Sequence, residues 1–289
     1  MSPTDLQRDI IARGSPLIST EELELLLKQP GLKLFDVRGT WSSPARALPE
    51  DYEQGHIPGA AFLDWTSQFI DQSEALPLAS VAGRDAARSA FKALGINATD
   101  LVVLYDNYNH MLAGRIWWAM RYWGFENVRV LNGGWTRWTT LQKPVATDKP
   151  DTSQGDFEPV QKSDLRTSLE DFIESHQKSC VIDARGFAGF AGKAEDPRTG
   201  HIPGSLNIPF SELLDSETGL FLNRDALSNV FDEKSPQWRD LSVIATCGSG
   251  YAATVTLLGL TELGSEARLF DGSFSAWKQD PARPVEQIQ

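Results

Sequence analysis

The sequence predicts an α/β protein built twice over: two homologous domains, each a parallel sheet with helices on both faces. Three observations predict it. Short, unbroken, partly β-branched apolar runs alternate with longer stretches of helical spacing, the pattern of strands buried on both faces. Four sequence blocks recur in the same order in the two halves. A stretch rich in Pro, Asp, Lys and Ser, "KPVATDKPDTSQGDFEPVQKSD", separates those halves.

Taken in order, the elements run helix, strand, loop, strand, helix, strand, helix, strand, helix in each half. Strands are expected at 33–37, 60–63, 101–105 and 128–131, then at 180–183, 205–208, 242–246 and 267–270. "LFDVRGTW" and "YEQGHIPGAAFLDW" are answered by "VIDARGFAGF" and "PRTGHIPGSLNIPF". Likewise "LVVLYDNYNH" and "VRVLNGGWTRW" are answered by "LSVIATCGSG" and "ARLFDGSFSAW". The boundaries that follow are 16–143 for the first domain, 144–163 for a linker and 164–285 for the second domain. Ligands of such sheets gather at the carboxyl ends of the strands.

Composition narrows the function classes. The 289 residues are 41% hydrophobic and 23% charged, the make-up of a globular chain. Net charge is −12, and the residues after Lys143 carry about −10 of it, with 23 acidic against 13 basic side chains. Nucleic acid and anionic membranes both require a basic face and are excluded as expected partners. No apolar run approaches the ~20 residues of a membrane-spanning helix, and "MSPTDLQRDIIARG" has no apolar signal core. Two cysteines, Cys180 and Cys247, form no disulfide framework. A reducing compartment fits, with the cytoplasm as the default and an organellar matrix as the alternative.

Cys247 stands at an unusual place. The run Val243-Ile244-Ala245 precedes it as a strand, and Val255, Leu258, Leu260 and Leu263 follow at helical spacing up to Gly264. The cysteine therefore opens a strand-loop-helix turn made of Gly248, Ser249, Gly250, Tyr251 and Ala252. Two glycines let the backbone curl so that several amide N–H groups point at the sulfur. The helix adds the positive end of its dipole, and Ser249 offers a hydroxyl donor. Such a cradle favours a thiolate, the nucleophilic form, and then holds a persulfide without a side-chain base. Cys180, at the start of an apolar strand, reads instead as a buried filler.

Competing chemistries fare worse. A Cys–His dyad has His56, His110, His176 and His201 to choose from, but His56 and His201 sit in identical repeat blocks and so share a structural role. Cysteine phosphatases close a similar loop with an arginine six positions after the cysteine. Ala253 stands there, and no bidentate phosphoryl clamp is available.

From about Pro16 to Pro284 the chain resembles the tandem rhodanese-domain sulfurtransferases of the thiosulfate and 3-mercaptopyruvate types. The resemblance rests on "GHIPGA" and "GHIPGS", "DVRG" and "DARG", "TCGSGYAAT" and "LFDGSFSAW". It implies two rhodanese-like domains with only the second active, Asn107 standing in the first where Cys247 stands in the second. It further implies a sulfurtransferase without metal or organic cofactor, using a Cys247 persulfide. The sulfane sulfur would come from a small anionic donor, thiosulfate or 3-mercaptopyruvate, and pass to cyanide, thioredoxin or another thiol. The alternative is a persulfide carrier that docks protein thiols and turns over small donors weakly.

Donor anions need cations in this acidic half. Arg185 of "DARG" matches the family's active-site arginine, with Arg38 as its copy in the first domain. Lys193 and Arg198 flank the same loop. Arg115 matches a family arginine of the first domain; from the residues alone it reads as a helix-surface ion pair. Asp183 and Asp271 are supporting residues, Asp271 as an acceptor for the active loop or as a plain turn aspartate. Trp117, Trp118 and Trp123 read as packing. Three departures leave the donor open: Gly189 replaces a second arginine, residues 64–80 hold no histidine, and Gly248 and Ser249 replace a basic pair.

Overall fold

A computed structural model of the chain describes residues 2–41, 44–71, 73, 80–151 and 153–288. Part of the histidine-free loop 64–80 therefore lies outside the described residues. The chain divides into two compact units, one of residues 1–76 and 81–162, the other chiefly of residues 163–289.

The first unit begins with α1 (Pro3–Ala12), β1 (Leu17–Ile18), α2 (Thr20–Leu26) and β2 (Leu32–Asp36). A small hairpin, β3 (Gly39–Thr40) with β4 (Arg46–Ala47), leads to α3 (Pro49–Gln54) and β5 (Ala60–Phe62). Then come α4 (Arg84–Ala93), β6 (Leu101–Tyr105), α5 (Met111–Tyr122), β7 (Val128–Leu131) and α6 (Gly134–Thr140). Its sheet is parallel in the order β1-β7-β6-β2-β5. α2 starts where it does because Ser19 and Glu22 form a capping box, each side chain meeting the other's N–H.

The second unit repeats this plan. It runs β8 (Arg166–Thr167), α7 (Leu169–Ser175), β9 (Cys180–Asp183), α8 (Phe187–Ala191), β10 (Leu206–Asn207) and α9 (Arg224–Lys234). It ends with β11 (Val243–Thr246), α10 (Ala252–Glu262), β12 (Ala267–Phe270) and α11 (Ser273–Trp277). The sheet order, β10-β9-β11-β12-β8, is that of the first unit, with β6 and β11 in the centre. Val181, Ile244 and Phe270 from the sheet pack against Phe172 and Trp277 from the helices. In the first unit Leu34, Val103 and Leu131 pack against Leu23 and Trp138.

All eight expected strands are present, within two residues at each end. Missing from the sequence reading are β1 and β8, two-residue edge strands too short to show periodicity, and the β3–β4 hairpin. The expected linker 144–163 is also different: up to residue 162 it is part of the first unit. Its polar composition hides Phe157, which packs edge-on against Phe91 at 4.7 Å and Phe125 at 5.0 Å. Main-chain bonds from Gly155, Phe157, Val160 and Lys162 to carbonyls of residues 92–123 seal that strap.

Candidate active site

Cys247 follows the last residue of β11, the central strand, at the carboxyl end of the sheet. The side chain is buried, with the residue 2% exposed. Among the described residues its Sγ accepts one main-chain hydrogen bond, from the Gly250 N–H at 3.1 Å. Gly250 has φ +83°, a left-handed conformation that suits glycine and turns that amide inward. The N–H groups of Ser249 and Ala253 have no protein partner among the described residues. α10 begins at Ala252, so its positive end faces the same loop.

A second strand-helix junction holds the loop from behind. Phe274 N–H donates to the Cys247 carbonyl and Ser275 N–H to the Gly248 carbonyl, both at 3.0 Å. Ser273 Oγ accepts the Cys247 N–H at 3.2 Å, donates to the Phe270 carbonyl at 2.9 Å and lies 4.0 Å from Sγ. Ser273 is fully buried with φ +50°, a conformation uncommon for any residue but glycine. The hydroxyl beside the sulfur is thus that of Ser273 and not that of Ser249. Sequence reasoning missed it, although the repeat carries the signal: Gly134 holds the matching place with φ +53°.

The first unit holds the same loop with a different residue in it. β6 and β11 pair with β2 and β9 in one register, Tyr105 opposite Asp36 and Thr246 opposite Asp183. The counterpart of Cys247 is therefore Asp106, and the expected Asn107 is one residue too far. The alignment of "NYNH" had no register to fix it. Asp106 Oδ1 accepts the N–H groups of Tyr108 and His110 at 2.9 and 3.1 Å. Its Oδ2 accepts those of Leu112 and Ala113, both at 2.9 Å. Their positions correspond to Ser249, Tyr251, Ala253 and Thr254. A carboxylate thus sits where the second unit has its sulfur, held by main-chain donors at a helix start.

Two readings of the loop need correction. Only one amide reaches Sγ, where several were expected. Gly248 was expected to let the backbone curl, yet its φ is not in the left-handed region, and a Cβ there would meet nothing within 4 Å. Tyr251 and Ala253 close the loop as buried residues.

Arg185 is mostly committed to the fold. Its Nε and Nη2 grip the Asp183 carboxylate at 2.6 to 3.0 Å, and Nη2 and Nη1 donate to the carbonyls of Gly200 and Gly189. The guanidinium lies over the Phe274 ring at 4.3 Å, which connects it to the junction behind Cys247. One Nη1 hydrogen is left without a partner among the described residues, on a side chain 16% exposed. Arg38 repeats the arrangement with Asp36, the Gly55 carbonyl and Trp135.

The remaining candidates scatter. Lys193 is exposed and no described contact joins it to the loop. Arg198 donates to the carbonyls of Lys278, Asp280 and Arg283 and is a tether for the C-terminal segment. Arg115 is fully buried in α5, over the Trp118 ring at 4.8 Å, so it is no surface ion pair. Asp271 accepts from Arg166 Nε at 3.0 Å. Trp117, Trp118 and Trp123 are buried.

His56 and His201 share a role as expected. Each ring stacks on an aromatic, Tyr52 or Phe190, and Nδ1 meets that residue's carbonyl. Each backbone pairs with the segment after its unit's last helix, at Ala146 or Glu286. Cys180 is buried, as a filler should be, with its sulfur 2.8 Å from Ser235 Oγ and its pKa raised by burial.

Comparison with known proteins identifies the family. The model of the rhodanese-like domain matches twice, at residues 19–141 and 165–280. The chain belongs to the rhodanese family. The chain is 32% identical over 276 residues to the 3-mercaptopyruvate sulfurtransferase of Escherichia coli, covering 91% of this chain and 95% of that one. It is 34% identical over 285 residues to the 3-mercaptopyruvate sulfurtransferase of Mus musculus, covering 90% and 91%. The crystal structure of SseA from Escherichia coli superposes with a TM-score of 0.80 at 28% identity, covering 90% of this chain and 98% of that one. The chain is thus a sulfurtransferase with two rhodanese-like domains. Among the described residues no helix is long and apolar enough to cross a membrane.

Proposed function

We propose that this sulfurtransferase carries sulfur as a persulfide on Cys247, taking it from thiosulfate or 3-mercaptopyruvate and passing it to cyanide or a thiol. The Cys247 thiolate attacks the outer sulfur of thiosulfate or the thiol sulfur of 3-mercaptopyruvate, forming an S–S bond. With thiosulfate the old S–S bond breaks and sulfite leaves with its electron pair. With 3-mercaptopyruvate the C–S bond breaks and the pyruvate enolate takes up a proton. An acceptor nucleophile then attacks the terminal sulfur, the new S–S bond breaks and Cys247 regains its thiolate.

One observation carries this reading. Gly250 N–H already serves Sγ, while the Ser249 and Ala253 N–H groups stay open at positions whose first-unit counterparts hold a carboxylate. A terminal persulfide anion above Sγ supplies the charge those donors lack. Ser273 steadies the sulfur, and Arg185, through its remaining N–H, attracts the anionic donor. The test is a single turnover without acceptor: stoichiometric sulfite release from thiosulfate, or pyruvate from 3-mercaptopyruvate, lost in Cys247→Ser. Release that survives Cys247→Ser contradicts the reading.

Arg185 also favours a second reading. With most of its donors committed to Asp183 and to carbonyls, it attracts small anions weakly, as a carrier dedicated to protein thiols would. Steady-state rates with both donors, using cyanide or thioredoxin as acceptor, separate the two.

A further inference from the structure

The two units differ at one buried position directly beneath the loop. In the first, the Tyr105 hydroxyl donates to Asp36 Oδ2 at 2.9 Å and accepts the Ile57 N–H at 3.2 Å. The phenol thereby ties the aspartate of the arginine clamp to the "GHIPG" turn. In the second unit strand register puts Thr246 at the place of Tyr105, opposite Asp183, and the repeat puts Ile202 at the place of Ile57.

Threonine is too short to make those bonds. The Thr246 hydroxyl is fully buried and has no protein partner among the described residues. The Ile202 N–H, on a residue that is itself fully buried, has none either. Asp183 Oδ2 accepts from Arg185 Nε and Nη2 but lacks the third donor that Asp36 Oδ2 has. The Ile202 N–H and Asp183 Oδ2, whose two first-unit counterparts meet at one phenol oxygen, thus each lose that partner beside a Thr246 hydroxyl that has none among the described residues, and a buried polar group left without a partner costs free energy.

We infer that a single buried water occupies the place of the Tyr105 oxygen in the second unit. It accepts the Ile202 N–H, donates to Asp183 Oδ2 and shares its remaining hydrogen-bonding capacity with Thr246 Oγ1. The donor pattern selects the ligand: it must accept from an amide and donate to a carboxylate. A fully protonated cation has no lone pair for the amide, and an anion would face Asp183. Water does both, and buried waters make about three such bonds. The carboxylate that clamps Arg185 is then joined to the strand leading into Cys247 through an exchangeable molecule, where the first unit uses a covalently fixed phenol.

Two measurements on the full chain test this. A crystal structure resolving ordered solvent is expected to show one water within hydrogen-bond distance of Ile202 N, Asp183 Oδ2 and Thr246 Oγ1. In solution, the ¹⁵N-labelled protein is expected to show a water cross-peak at the Ile202 amide, abolished in Thr246→Tyr, whose phenol takes the water's place. Empty density at that point, or an Ile202 amide without a water contact in the unsubstituted protein, overturns the inference. The unsubstituted protein decides the matter even where Thr246→Tyr fails to fold.

Discussion

At the scale of single residues, the sulfur's surroundings depend on side chains outside the "CGSG" loop. Ser273→Ala removes the acceptor of the Cys247 N–H and should cost about 1–2 kcal/mol in denaturant unfolding, together with most of the turnover. Ser273→Gly suits the left-handed φ of +50° better. It should therefore lose turnover equally while losing less stability. Equal activity in both variants and the parent would show that the hydroxyl is idle. Asp106→Ala strands four N–H groups and should destabilise the first unit by about 2 kcal/mol or more, read as faster hydrogen exchange at Leu112 and Ala113. Asn107→Ala, at an exposed position, should stay within about 0.5 kcal/mol of the parent. His110 is buried, and burial lowers its pKa, against the pull of Asp106. The unfolded chain thus binds the proton more readily, and stability present above about pH 6.5 should drain away as pH falls below it. Denaturant midpoints at pH 7.5 and 5.5, with His110→Asn as the flat control, check that sign.

At the scale of elements, much was legible and the failures have physical causes. The central strands β6 and β11 announce themselves because each is a mostly apolar run buried along its whole length. β1 and β8 do not, because two residues show no period. Register is what a single sequence withholds. "YDNYNH" against "TCGSGY" can be slid by one position, and only the pairing of Tyr105 with Asp36 and of Thr246 with Asp183 fixes Asp106 as the counterpart of Cys247. The duplicated "DVRG" and "DARG" did carry a correct warning, since both arginines clamp the aspartate that ends their strand. Arg38→Ala leaves a fully buried carboxylate unpaired and should cost about 3–5 kcal/mol. Arg185→Ala, on a more exposed clamp, should cost less. Thermal unfolding ranks the two. Only Arg185→Ala should also raise KM for an anionic donor, and an equal rise in Arg38→Ala would mean that the clamp is purely structural in both places.

At the scale of the whole molecule, duplication followed by divergence explains why one protein holds both a filled and an open version of the same loop. The tandem arrangement and the family were readable from repeated motifs, because "GHIPG" and its partners serve packing in both units: His56 and His201 make matching stacks and carbonyl contacts. The open site was readable only at Cys247 and its glycines, since the supporting Ser273 and Thr246 act through distances and register. The central claim is that open main-chain donors around Sγ hold a second sulfur atom. Intact-mass spectrometry of the whole chain after thiosulfate treatment tests it most directly. A gain of one sulfur atom is predicted, removed by cyanide and absent from Cys247→Ser; no gain, or a gain that persists in Cys247→Ser, would contradict the account.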